Sequence, residues 1–218
     1  MGDMQGGVTH QDDRVPFRSA ELELADWRRR VSELYARVRA EPDAERGHAL
    51  WRTGRGELFL DHPQSPLEPG DALRRAGVQY WPYEPALRFE LPVLPAPETS
   101  QRVIPTGGKE PTTLRAIGRI EIPDPVNGIL TLWWLDQYGG GLFLPLRDAT
   151  AGTTTYGGGR YLLDSAKGAD LGGALGTLVI DFNFLYHPSC RYSNRWQCPL
   201  APAENTVAFA VKAGERLS

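Results

Sequence analysis

Asp181 and Asn183 close an apolar run from Leu175 to Ile180 and sit two residues apart, so on a strand both point to one face. Burial raises the pKa of a carboxylate at the end of such a run unless a cation or hydrogen bonds intervene. A general acid or base needs that tuning. The sequence offers Arg160 as the cation, because Gly157, Gly158 and Gly159 before it let that backbone approach closely. Asp181 and Arg160 are therefore expected to share one polar site, with Asn183 beside them and Tyr156 or Tyr186 on its rim. An ion pair that only holds the fold is the competing reading. Glu204 and His62 are the other acid–base candidates, Cys190 is the candidate nucleophile, and Asn205 is a further candidate ligand contact.

Arg52 and Arg55, three residues apart, share a helix face and can fork around an anion or bridge Glu57 or Asp61 at the surface. The irregular stretch after Asn183 carries Tyr186, His187, Cys190, Tyr192, Trp196 and Cys198, too aromatic to stay solvated. Its two cysteines admit four readings: inert buried thiols, a disulfide, part of a metal site with His187, or a nucleophile with His62 as base. The metal reading lacks a fourth ligand, so no metal site is assigned. Proximity of Cys190 and Cys198 is expected whichever reading holds. The glycine run before Arg160 is neither a P-loop nor a dinucleotide fingerprint, because the Lys-Ser/Thr pair and the strand–turn–helix frame are missing.

These segments together resemble a known family. Trp51, Arg52, Arg55, Leu58 and Phe59 are followed by His62 to Leu67. Asp148, Thr150 and Gly152 precede the run from Thr155 to Leu162. Asp181 to Asn183 lead to Tyr186, Pro188 and Cys190, then Cys198 and Pro199, Glu204 and Asn205, and Ala213 to Glu215. In that order they are similar to an uncharacterised prokaryotic family, domain of unknown function sixteen eighty-four, over Asp26 to Arg216. The resemblance implies no established activity, substrate or cofactor. The family usually has Asn where this chain has His187, which speaks against a metal-ligand role there.

The elements that must position these groups are legible by period. Ser19 is placed to cap a helix whose stripe of Leu24, Trp27, Val31, Leu34, Tyr35 and Val38 should pack on a sheet, with Pro42 ending it. A shorter helix is predicted over Asp43–Thr53, broken by Gly54 and Gly56, and a single turn over Asp71–Ala76. Beyond residue 78 the period becomes two. Leu114, Ala116, Gly118, Ile120 and Ile122 alternate with polar or outward residues, and Asn127 with Gly128 marks a hairpin into Ile129–Asp136. Leu142–Arg147, Leu175–Asn183 and Thr206–Lys212 read as further strands, with Val78–Tyr83 and Leu87–Leu91 weaker ones. The fold class expected is α+β: an N-terminal helix packed on a mostly antiparallel, strongly curled or barrel-like sheet, as one domain over residues 18–218.

The chain has 218 residues, long enough to bury a core without staples. A net charge of −3 argues against bulk attraction to nucleic acid or an anionic membrane. No apolar run approaches a membrane span, and the polar, acidic start shows no secretory signal, so a bacterial cytoplasmic protein is expected. Three functions compete. One is an enzyme of hydrolase-like acid–base chemistry, with a polar, Arg-containing pocket at one end of the sheet. The second is a non-catalytic protein binding a small anionic metabolite. The third is a structural or interaction domain anchored by Trp133 or Trp134. The cofactor and oligomeric state are not specified by the sequence. Residues 1–17, a Gly/Asp/Gln tail with little to bury, are expected to be disordered. A chain starting at Arg18 should keep its melting temperature in a thermal melt; a drop of more than a few degrees would show that the tail docks.

Overall fold

The computed structural model describes residues 17–96, 101–104 and 111–218. Apart from Phe17, which is 80% exposed, the expected tail lies outside the described residues. The fold is α+β with mostly antiparallel pairing. Two long helices, α1 (Ala20–Ala40) and α2 (Ala44–Asp61), come first, then a single turn, α3 (Leu73–Ala76). Ser19 caps α1 by accepting from the Leu22 amide, and Asp43 caps α2 by accepting from the Arg46 amide. Gly77, at φ 74°, ends α3.

Among the described residues nine strands follow: β1 (Gln79–Tyr80), β2 (Arg88–Pro92), β3 (Gln101–Ile104), β4 (Thr112–Ile122), β5 (Gly128–Leu135), β6 (Leu142–Leu146), β7 (Arg160–Asp164), β8 (Thr177–Asp181) and β9 (Glu215–Arg216). Strands β3 to β7 form one sheet in chain order, while β2 pairs with β8 and β1 with β9. The expected curled or barrel-like closure is not formed. β3 and β7 are the outer strands of the five-stranded ladder, and the remaining strands pair in twos rather than bridging them. Thr206–Lys212 is not a strand either. It makes one bridge, Thr206 to Arg147, and then turns its Val211 amide to the Asp148 carboxylate.

The alternation read in β4 is what the core uses: Leu114, Ala116, Gly118, Ile120 and Ile122 all face inward. A bulge between Ala116 and Gly118 shifts the register against β5, where Trp133 is fully buried and Trp134 half-buried. The main core packs Ile120, Leu130, Leu144 and Leu146 against Ile180, Phe182 and Leu185. Leu94 bridges Arg119, so the proline-rich stretch after β2 ties that pair of strands to β4.

The helices depart from expectation in two ways. α2 runs straight through Gly54 and Gly56. Gly54 is buried where α1 crosses, and a Cβ there would lie 2.7 Å from Cδ1 of Leu34, so the glycine sets how closely the helices approach. Trp27 faces α2 rather than a sheet, its ring 6.1 Å from Phe59 and 5.2 Å from His62. α1 reaches the body further along, where Leu34, Tyr35 and Val38 join Trp51, Ala169 and Phe184 in one apolar cluster. Replacing Gly54 with Val should therefore cost roughly 1–3 kcal/mol by overpacking the crossing. Gly56→Ala, with nothing within 4 Å of the new Cβ, should gain up to ~1 kcal/mol from helix propensity. Urea melts of the two variants check the contrast.

Candidate functional site

The segments singled out in the sequence meet around Glu215. This carboxylate is wholly buried on β9. Arg55 from α2 donates to its Oε1 through Nε at 2.5 Å. The His187 amide donates to Oε2 at 2.6 Å, and the Tyr192 hydroxyl donates to Oε2 at 3.1 Å. The Tyr80 hydroxyl stands 3.4 Å from Oε1. Burial alone would raise the Glu215 pKa, but the Arg55 charge and these donors outweigh it, so the carboxyl is held below its ordinary value. Arg55 in turn is raised, Glu215 overcoming its own desolvation. Its guanidinium lies between the rings of Phe59 and Tyr186, 4.4 and 4.7 Å from their centroids.

His187 Nε2 accepts from the Tyr156 amide at 3.2 Å, which joins the third segment to the other two. With Nε2 an acceptor and the ring buried, His187 is neutral: burial lowers its pKa to about 4 although Glu215 works the other way. Arg160 lies one layer deeper. It donates to the carbonyls of Ala213, Glu215 and Val211 and to Asp148, at 3.4 Å from Oδ1. Its role is to anchor the segment that carries Glu215. Arg52 is exposed and stacks on Tyr80 at 4.8 Å.

The expected pairing of Asp181 with Arg160 does not form. Strand register decides it: Arg88 lies opposite Asp181 in the β2–β8 pair, whereas Leu146 lies opposite Arg160. Asp181 takes Arg88 at 3.3 Å and both the amide and the side-chain nitrogen of Asn183. Asn183 clamps both backbone polar groups of Glu84. Burial nevertheless leaves the Asp181 pKa raised. Glu204 pairs with Arg102 near the surface, 2.7 Å from its Nε. His62 caps α2, with Nε2 3.3 Å from Asp26 and Nδ1 accepting from the Gln64 amide. Asn205 accepts from the Trp133 indole and donates to the Thr131 carbonyl. Asp181, Glu204 and His62 thus each have their own partners and are not brought together for acid–base chemistry. Among the described residues no three His, Cys, Asp or Glu side chains group to hold a metal ion.

Two residues the sequence reading passed over stand beside this hub. Asp164, at the end of β7, is 2% exposed. Its Oδ2 lies 3.3 Å from the Lys167 ammonium, and its Oδ1 has no hydrogen-bond partner among the described residues. Asp164 and Lys167 line an open cleft of about 640 Å³. Trp134, the Gly139–Gly141 turn, Gln197, Pro199 and Arg28 of α1 line it with them. Lys167 also borders a second, much smaller cavity of about 50 Å³ between the helices and the hub, lined by Tyr35, Arg55, Tyr186 and His187. The buried Tyr35 hydroxyl has no partner among the described residues. That cavity has room for water alone. The cleft falls within the ~300–1,000 Å³ usual for small-molecule sites. Two signals for this pair were present in the sequence: Lys167 is one of three lysines in a chain with 21 arginines, and Asp164 ends an apolar strand as Asp181 does.

The family described as Protein of unknown function (DUF1684) matches residues 75–216. The chain belongs to the DUF1684 family. That match takes in Glu215, His187, Asp164 and Lys167, whereas Arg55, Tyr35 and Arg28 precede it. A solution NMR structure of an uncharacterized protein from Haloarcula marismortui is similar, at 29% identity and a TM-score of 0.54, over 76% of this chain and 90% of that one. Among proteins of curated function, none is similar enough to this DUF1684 chain to suggest an activity. No helix among the described residues is long and apolar enough to cross a membrane.

The buried histidines give this DUF1684 chain a defined pH dependence. His48, 2% exposed among Trp51, Tyr83 and Phe184, is lowered to about 4 by burial and Arg52, as His187 is by burial. Both titrate near 6.5 when unfolded, so the unfolded chain binds more protons between pH 6.5 and 4. Stability is full above that window and falls as the pH drops through it. From pH 7 to pH 5 the loss should be roughly 2–4 kcal/mol, read from urea melts, and His48→Phe should remove about half of it. Lowering of the Glu215 pKa adds a further loss below its unfolded value of 4.5.

Proposed function

We propose that the protein is a non-catalytic binder of a small hydroxy- or amido-carboxylate, held in the cleft over Asp164 and Lys167. The observation that carries this is Asp164 Oδ1, a buried acceptor beside the cleft with no hydrogen-bond partner among the described residues. Leaving such an acceptor unmatched costs ~1–3 kcal/mol, so it calls for an incoming N–H or O–H. Lys167 and Arg28 set two positive charges against the one carboxylate, which favours a ligand carrying a net negative group. A molecule with a hydroxyl or amide N–H for Asp164, a carboxylate for Lys167 and Arg28, and a flat or apolar part against Trp134 meets all three demands. This sharpens the anionic metabolite expected from sequence and moves its site away from Arg160.

Binding is preferred to catalysis because the cleft holds a single carboxylate, paired to Lys167, and the acid–base candidates lie elsewhere. A thermal-shift screen of hydroxy-, keto-, amido- and dicarboxylates at millimolar concentration tests the reading. A ligand at 100 times its Kd should add ~2.7 kcal/mol of stability. Arg28→Ala, on the exposed face of α1, should leave the melting temperature of the free protein unchanged and weaken the hit at least tenfold; Lys167→Met should weaken it further. No hit in the screen, or hits indifferent to both substitutions, would overturn the assignment.

A further inference from the structure

We infer that Cys190 and Cys198 are a redox-active dithiol that closes reversibly to a disulfide. The geometry is already assembled. A 3-10 turn at Ser189–Arg191 brings the Cys190 amide to 3.4 Å from the Cys198 sulfur, which accepts from it. Both are free, Cys190 half-buried at the surface and Cys198 buried in the cluster that holds Phe143 and Tyr161. With the Cys190 backbone already against the Cys198 sulfur, bridging needs a closure of two side chains.

The groups facing the pair favour loss of one proton. The Cys190 thiol beside Cys198, followed by the Lys167 charge, lowers Cys198 to about 6, while Asp164 and burial resist. The same proton keeps Cys190 raised. Burial and the Cys190 sulfur raise Tyr156, with Arg191 working against that shift; Tyr161 packs in the cluster of Cys198 and is un-ionised. The pair thus gives up a proton more readily at Cys198 than at Cys190, and the sulfur nearer solvent is that of Cys190.

With hydrogen peroxide as the oxidant, the Cys190 proton passes to the Cys198 sulfur, the Cys190 sulfur attacks one peroxide oxygen and the O–O bond breaks, giving a sulfenic acid and a hydroxide that takes the proton from Cys198. The Cys198 thiolate then attacks the Cys190 sulfur, forming the S–S bond and releasing the second hydroxide. Two thiols and one peroxide become one disulfide and two waters once the protons are counted. A thiol reductant reverses the change through a mixed disulfide at Cys190. Gln197 and Pro199, which flank Cys198, line the cleft, and the Lys167 and Asp164 charges both act on the Cys198 sulfur. Oxidation removes the negative sulfur from beside Lys167.

The inference stands on the sulfurs alone, so it fails or holds independently of the ligand reading. The full chain is treated with a stoichiometric excess of hydrogen peroxide and, separately, with oxidised glutathione at pH 7. The expected result is loss of both thiols to Ellman's reagent, a peptide map showing Cys190 joined to Cys198, and recovery of both with dithiothreitol. Cys198→Ser should instead accumulate a glutathione adduct at Cys190. Two free thiols after oxidation, glutathione adducts without a bridge in the wild-type chain, or bridging only in denaturant would each overturn the inference.

Discussion

A carboxylate with no exposure to water cannot stay ionised without a cation and donors around it, and the fold answers that demand at Glu215. Arg55 comes from α2, the amide of His187 and the hydroxyl of Tyr192 from the loop after β8, and the Tyr80 hydroxyl from β1. Three separate stretches of chain are thereby fixed to one residue. Removing a single partner from such a cluster would leave a buried charge uncompensated, at a cost of ~3–5 kcal/mol. The small cavity beside Arg55 and the cleft share Lys167 in their linings, so both border the hub.

Local rules were enough for much of the architecture. Ser19 and Pro42 bound the first helix, the alternation from Leu114 to Ile122 is the inward face of β4, and Asn127, at φ 44°, turns into β5. Failures occurred where a distant partner overrides local preference. Gly54 is a helix breaker by propensity, yet here it is the only size that lets Leu34 cross. Trp27 carries the periodicity of a core residue, but its partner proved to be another helix. No local pattern reports whether closing strands join, so an open ladder could not be told from a barrel.

For the site, the sequence located the segments but not their pairings. Arg55, Tyr186 and Tyr156 do meet through Glu215 and His187, and Cys190 does meet Cys198. Asp181 and Arg160 were assigned to each other on the ground that a buried charge needs a partner. The principle held for both, since each found an opposite charge, but the partners were Arg88 and Asp148, chosen by register. Asp164 and Lys167 were missed because an acid and a base three residues apart read as an ordinary surface pair. What sets them apart is burial of one carboxylate oxygen without a partner, which is a property of the folded surroundings.

The location of Glu215 and its neighbours also bears on the order of folding. Arg55 is synthesised 160 residues before the carboxylate that neutralises it, an interval of roughly 8–30 s at ~5–20 residues per second. Arg160 waits likewise for the carbonyls of Val211, Ala213 and Glu215. Until that segment emerges, two arginines destined for the interior have no reason to leave water. The nascent chain can form its helices and its hairpins, but the interior between them stays wet. The contacts that dry it span most of the chain, and contacts of such long sequence separation are the ones that slow folding.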